Sequence, residues 1–145
     1  MKAKNIIKSI FPFSILLMAV TLSCEELENP GTEDIREKIE GQWKCDEISE
    51  YYKSTASVFQ VYIYPHPDDS TKVIIENFYG LGDDVSVVVT MSNRNLYINS
   101  QTVGDGFTVI GSGTISSNFN EINWNYSVDD GSDKTDNVTA TYTKL

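Results

Sequence analysis

Few residues in this sequence could carry chemistry. There are two cysteines, Cys24 and Cys45, and one histidine, His66. A thiol becomes a nucleophile only where a base or positive charge favours its thiolate. His66 sits in Pro65-His66-Pro67-Asp68-Asp69, a turn-forming run. A Cys45–His66 pair is the thiol–base combination to weigh. The alternative for Cys45, among apolar neighbours, is a small buried core residue. A single histidine excludes a histidine-rich metal site. Acids are paired at Asp68-Asp69, Asp83-Asp84 and Asp129-Asp130, each in a segment that reads as loop, where acids are ordinarily solvated. Asp129-Asp130-Gly131-Ser132-Asp133 offers oxygen ligands for calcium but lacks the spacing of an EF-hand loop. No P-loop, G-x-S-x-G, H-E-x-x-H or zinc-finger spacing occurs. The expectation is a protein that is not an enzyme, with no catalytic residues, no metal and no cofactor.

Cys24 has a different context. Lys2, Lys4 and Lys8 give a basic start, an apolar run follows from Ile10 to Val20, and Thr21-Leu22-Ser23-Cys24 closes it. A charged start, a short apolar core and a small residue before the cut describe a secretory signal over residues 1–23. The run is short for a spanning helix, and Pro12 interrupts it. Leu22-Ser23-Cys24 resembles the lipobox of bacterial lipoproteins, with Thr21 where that family usually has Leu. The resemblance implies cleavage before Cys24 and a diacylglycerol on its thiol. Each buried methylene contributes about 0.8 kcal/mol, so two or three acyl chains would anchor the protein to a membrane.

Residues 24–145 would then form the mature chain of 122 residues, a length that suits one domain. It carries 8 basic and 21 acidic side chains, a net charge of −13. So acidic a surface argues against nucleic acid as a partner, because phosphates are bound by Lys and Arg. Residues 24–40 begin as an acidic tether, Cys24-Glu25-Glu26-Leu27-Glu28-Asn29-Pro30-Gly31. Acids directly after the lipidated cysteine resemble the surface-export signal of lipoproteins in the Bacteroidetes group. This implies an outer-membrane, lipid-anchored protein on the cell surface, with the periplasmic face as the alternative. Ile35 and Ile39, four apart among charges, predict a short helix ended by Gly41.

From Gly41 to Leu145 the apolar period becomes two. Eight strands are expected: residues 42–52, 58–64, 72–78, 85–91, 95–99, 107–115, 121–128 and 137–144. The links are of hairpin length, and residues 129–136 form an acidic loop. Such a meander hides its edges by closing, so the fold class expected is all-β, an eight-stranded antiparallel up-and-down barrel with a short N-terminal helix. An eight-stranded β-sandwich is the alternative. Gly111 and Gly113, two apart in one strand, suit strong bending.

Gly41-Gln42-Trp43, after a helical turn and opening the first strand, resembles the G-x-W motif of lipocalins. In that family the tryptophan closes the barrel floor under a basic residue from near the last strand. The resemblance implies that Trp43 and Lys144 take these parts. Arg is usual where Lys144 stands, and the T-D-Y motif and C-terminal helix of lipocalins are absent. The Asn77-Phe78-Tyr79-Gly80 turn, Gly111-Ser112-Gly113 and the closing Ala140-Thr141-Tyr142-Thr143-Lys144 make the chain similar to compact lipocalin-like lipoproteins of the Bacteroidetes.

Aromatic side chains bind apolar ligands or the faces of sugars. Tyr62, Tyr64, Tyr97, Trp124 and Tyr126 are the candidate ligand-binding residues, with Tyr51 beside them. Barrel core is the alternative for Trp124 and Tyr126. Tyr62 and Tyr64 share one face of a strand, and Phe59, Val61 and Ile63 share the other. Asp69-Ser70-Thr71 resembles the O-glycosylation motif of Bacteroidetes proteins. The function expected is an envelope protein, held to the membrane through the Cys24 lipid, that carries a small apolar or amphipathic ligand in or at the mouth of its barrel. The alternative is an accessory subunit bound to an outer-membrane protein partner, with no small-molecule ligand.

Overall fold

A computed structural model describes residues 33–51 and 56–145. The segment expected to be a signal, Cys24 and most of the expected tether lie outside the described residues. The chain enters through a five-residue helix, α1 (Ile35–Ile39), capped by the Asp34 carboxylate, which accepts from Arg36 N. So short a helix does not hold alone. It is docked by Ile39, fully buried, and by Arg36, which grips Asp34 and donates to Asp69 O at 3.1 Å. Gly41 then turns the chain into the first strand with φ +123°, a conformation that L side chains rarely adopt.

The strands are β1 (Gly41–Ser49), β2 (Ser57–Pro65), β3 (Lys72–Glu76), β4 (Ser86–Ser92), β5 (Asn95–Val103), β6 (Phe107–Ile115), β7 (Glu121–Asp129) and β8 (Thr135–Lys144). Each pairs antiparallel with the next, and β1 pairs with β8 from Trp43↔Lys144 to Ser49↔Val138. The sheet is thus a closed up-and-down barrel. Closure of β1 on β8 decides against the sandwich, whose two sheets would leave these strands as edges.

Several strand limits differ from the expected ones, each for a local reason. β1 stops at Ser49. β3 stops at Glu76 because Asn77 and Tyr79 take left-handed φ of 56° and 59° around a 3-10 turn, Phe78–Gly80. β5 runs on to Val103 past a register shift between Ile98 and Gln101. There the Gln101 side chain stands in for a missing ladder, accepting from Val88 N at 2.9 Å and donating to Val88 O at 2.7 Å. β8 begins at Thr135, so Asp136 belongs to a strand and not to the acidic loop.

The two ends of the barrel differ. At the floor, Trp43 is buried, its Nε1 donates to Ile39 O at 2.9 Å, and Lys144 Nζ lies 5.8 Å from the Trp43 ring centroid. Lys144 Nζ also donates to Lys38 O at 2.5 Å, which fastens α1 across the floor. A cation so placed over indole is worth about 0.5–1 kcal/mol. At the other end, the mouth, Phe78 and Tyr79 fold inward and are buried.

The interior between floor and mouth is occupied by the chain's own side chains. Trp124, Tyr142, Phe78, Ile63, Ile75, Leu96, Ile98, Ile115 and Ile122 are all at most 1% exposed. Gly111 and Gly113 make this filling geometrically feasible. They face Tyr126 and Trp124 across the β6–β7 ladder. A Cβ on Gly111 would fall 2.3 Å from Tyr126 Cβ, and one on Gly113 would fall 2.6 Å from the Trp124 ring. Gly113 therefore leaves room for the Trp124 ring and Gly111 lets the β7 backbone approach closely, while both allow the wall to bend.

Candidate functional site

The five aromatic residues singled out from the sequence do not come together. Trp124 and Tyr126 point into the barrel, 1% and 5% exposed, and belong to the core. Tyr62 and Tyr97 point outward, 39% and 44% exposed, on strands at different places around the wall. Tyr64 is half-buried on the same outer face as Tyr62, with ring centroids 6.1 Å apart. Tyr51, also exposed, lies at the mouth with Lys134 Nζ 5.2 Å from its ring centroid.

The barrel also buries three polar residues that period-two reading could have placed there. Glu47 and Ser49 continue the inward phase of Trp43 and Cys45 on β1, and Asp136 leads that of Val138, Ala140 and Tyr142 on β8. Glu47 and Ser49 fall within the first expected strand, whereas Asp136 falls in the expected acidic loop. Glu47 accepts from the Tyr126 hydroxyl. Asp136 accepts from Ser49 Oγ at 2.5 Å, Tyr79 OH at 2.6 Å and Tyr51 N at 3.0 Å. Burial alone would push the Asp136 carboxyl up. The bonds from Ser49, Tyr79 and the Tyr51 and Glu50 amides outweigh it and hold the carboxyl below the ordinary aspartate range.

The phenols around these acids shift the other way. Burial, then the bond to Asp136, pushes the Tyr79 phenol up, and burial with nearby Tyr142 and Glu47 does the same to Tyr126. Burial and neighbouring Cys45 and Glu47 raise Tyr142 well above an ordinary phenol. All three stay protonated at neutral pH, and Tyr79 and Tyr126 donate to Asp136 and Glu47. The cluster thus fastens one side of the mouth: Asp136 on β8 holds the end of β1 and the inward-folded Tyr79 at once. Its carboxylate is fully engaged as an acceptor, and its partners are hydroxyl and amide donors that carry no base.

Cys45 is fully buried in the interior, while His66 sits in the β2–β3 turn with its Nδ1 accepting from Asp68 N at 3.2 Å. In the same turn Asp69 accepts from Thr71 N and Oγ1 at 2.9 and 2.6 Å, and Ser70 and Thr71 are exposed. In the β7–β8 loop the carboxylates of Asp129 and Asp130 accept from Gly131 N and Ser132 N. Among the described residues no group of three or more His, Cys, Asp or Glu is placed to hold a metal ion.

Concavities occur on the outside of the barrel. One, about 450 Å³, runs over β6, β7, β8 and β1 between Ile110 and Ile48, which are 51% and 61% exposed. Another, about 340 Å³, is a notch beside Tyr62. It exists because β3 has five residues where β2 has nine, so the wall steps inward beyond Glu76. Val61 forms its buried floor. Gln42, Tyr62 and Glu76 are direct cross-strand partners and form one row along it. The Tyr64 hydroxyl donates to Glu76 Oε1 at 3.0 Å and fixes that carboxylate. Asn77 donates to Gln60 O at 2.7 Å and accepts from Gly82 N at 2.8 Å, which fixes the far rim. No protein-family model matches this chain, and no curated protein matches it by sequence.

Proposed function

We propose that this chain is a lipid-anchored envelope protein whose barrel is a solid scaffold and whose outer wall does the binding. The observation that carries this reading is the occupied interior: Trp124, Tyr142 and Phe78 take up the volume that a ligand would need. An eight-stranded barrel encloses only enough space for its side chains or for one small ligand, not for both. Exposed aromatic and aliphatic side chains, Tyr62, Tyr97, Ile48 and Ile110 among them, lie on the outer wall. Anchoring rests on the Cys24 context alone, and the strongly acidic composition suits a domain kept soluble beside a membrane.

Two measurements test this. Titration of the full chain in detergent with a fluorescent fatty acid should give no stoichiometric binding; saturable one-to-one uptake that quenches Trp124 would replace the outer-wall reading with an interior one. Mass spectrometry of native material should find residue 24 as an acylated amino terminus, and a Cys24→Ala variant should leave the membrane fraction. An unmodified chain still beginning at Met1 would remove the anchor.

A further inference from the structure

We propose that the notch beside Tyr62 is a binding site for a neutral saccharide unit, an inference that rests on the outer-wall reading. The shape comes first. At about 340 Å³ the notch falls at the small end of ligand-site volumes, which suits one sugar ring better than a chain or a folded partner. The chemistry of its walls comes second. Tyr62 presents an exposed aromatic side chain, a surface on which the C–H face of a pyranose packs. Gln42 and Glu76 flank it on either side in the same cross-strand row, and Gln60 stands two residues before it on β2. Primary amides both donate and accept, and a carboxylate accepts at two oxygens. Neighbouring hydroxyls of a sugar also do both, so amides and a carboxylate around an aromatic platform match a polyol where they would not match a hydrocarbon.

Pre-organisation is the third point. Tyr64 OH fixes Glu76 through Oε1, and burial together with that bond pushes the phenol up, so it stays a donor. Asn77, in its left-handed conformation, clamps the rim from both sides. A site held this way loses little side-chain freedom on binding. Charge selects among sugars. Glu76 and Asp83 line the notch on a chain of net charge −10, so uronates, sialylated and phosphorylated units are repelled. A single ring on an open site is expected to bind in about the millimolar range, with affinity gained by linking several units.

The test uses the full chain in detergent, observed by amide and side-chain NMR, with three separate probes: neutral oligosaccharides, a lysine-rich peptide and a fatty acid. Neutral saccharides should shift the resonances of Gln42, Gln60 and Tyr62, and Tyr62→Ala should lower that affinity at least about tenfold without changing the melting temperature. Glu76→Gln, which keeps an acceptor at the same place, should cost less than Glu76→Ala. Shifts in the notch with the peptide and none with saccharides would overturn the saccharide assignment while leaving the outer-wall reading in place. Saccharide shifts unaffected by Tyr62→Ala, or none up to tens of millimolar, would overturn it equally. Shifts of Trp124 and Tyr142 on adding the fatty acid would overturn both.

Discussion

The Tyr79 hydroxyl donates to Asp136 Oδ2 at 2.6 Å, joining residues 57 apart in the chain across the barrel mouth. Tyr79 sits in a left-handed conformation that costs a bulky residue about 1–3 kcal/mol. Burial of its ring and the bond to a charged acceptor offset that cost. Asp136 is the common partner of Tyr79, Ser49 and the Tyr51 amide, so it fastens two segments, the end of β1 and the 3-10 turn, to β8. Asp136→Ala should therefore destabilise the protein by about 3–5 kcal/mol, because it strands several buried donors together. Tyr79→Phe, which keeps the ring and removes one donor, should cost about 1–2 kcal/mol. Urea unfolding measures both; equal and small losses would mean that the mouth is held by apolar packing alone.

The same cluster makes stability depend on pH at both extremes. The folded Asp136 carboxyl lies below its ordinary value of 3.8, so at acid pH the unfolded chain binds the extra proton first. Its contribution is complete above that value and is lost as pH falls through the folded one. Tyr79, Tyr126 and Tyr142 have folded values raised above 10. Their contribution is complete below pH 10 and is lost as pH rises, because the unfolded chain sheds protons first. Chemical denaturation at a series of pH values should show a plateau with a fall on each side. Asp136→Asn should flatten the acid limb attributable to this residue and also weaken the Tyr79 part of the alkaline limb, because the bond to the Asp136 carboxylate is one cause of that phenol's shift; an unaltered acid limb would assign it to other carboxylates.

Gly111 and Gly113 should be the least replaceable positions on β6. A methyl group on Gly113 meets the Trp124 ring at 2.6 Å, and one on Gly111 meets backbone and Cβ atoms of β7. Overpacking of this kind costs about 1–3 kcal/mol or more. Gly113→Ala should be rescued in part by Trp124→Leu, since the ring can be removed, whereas Gly111→Ala has no single-residue rescue because its clash includes the Asn125 carbonyl. Thermal melts of the single and double variants measure this coupling. Additive losses at Gly113 and Trp124 would mean that the two do not compete for the same space.

These features also mark how much of the fold could be read from the residues. Alternation identified the barrel and its strand order, because Val, Ile and aromatic side chains at period two leave little choice of face. It placed β6 at the observed limits, where Gly106 and the Ser116-Ser117-Asn118 run bound it. It failed where a polar residue occupies an inward position. Asp136 looked like the end of an acidic loop, and only the donors brought to it by β1 and the 3-10 turn make its burial tolerable. Those donors are far away in sequence, so the single chain gives no local sign of them. Tyr62 and Tyr64 were identifiable as sharing a face, but not as facing outward, since that depends on Val61 and Ile63 packing inside. The notch beside them arises from a length difference between β2 and β3, set by the left-handed Asn77, which alternation does not register.

The Gln101 side chain closes a gap in the wall that backbone pairing leaves open. Between β4 and β5 the ladder extends only from Thr90↔Tyr97 to Ser92↔Asn95, and the bulge before Gln101 carries β5 out of register beyond it. The primary amide has the same donor and acceptor as a peptide group, and it meets both the N–H and the C=O of Val88. Gln101→Ala should cost about 1 kcal/mol, since water can reach this outer position and replace part of what is lost. Its sharper effect should be local: hydrogen exchange at the Val88 amide should accelerate well beyond that at Val87 or Val89. Gln101→Glu tests the mimicry itself, because a carboxylate still accepts from Val88 N but sets a second oxygen against Val88 O. It should therefore stabilise no better than alanine. Recovery of wild-type stability with glutamate would mean that the bond to Val88 N alone holds this seam.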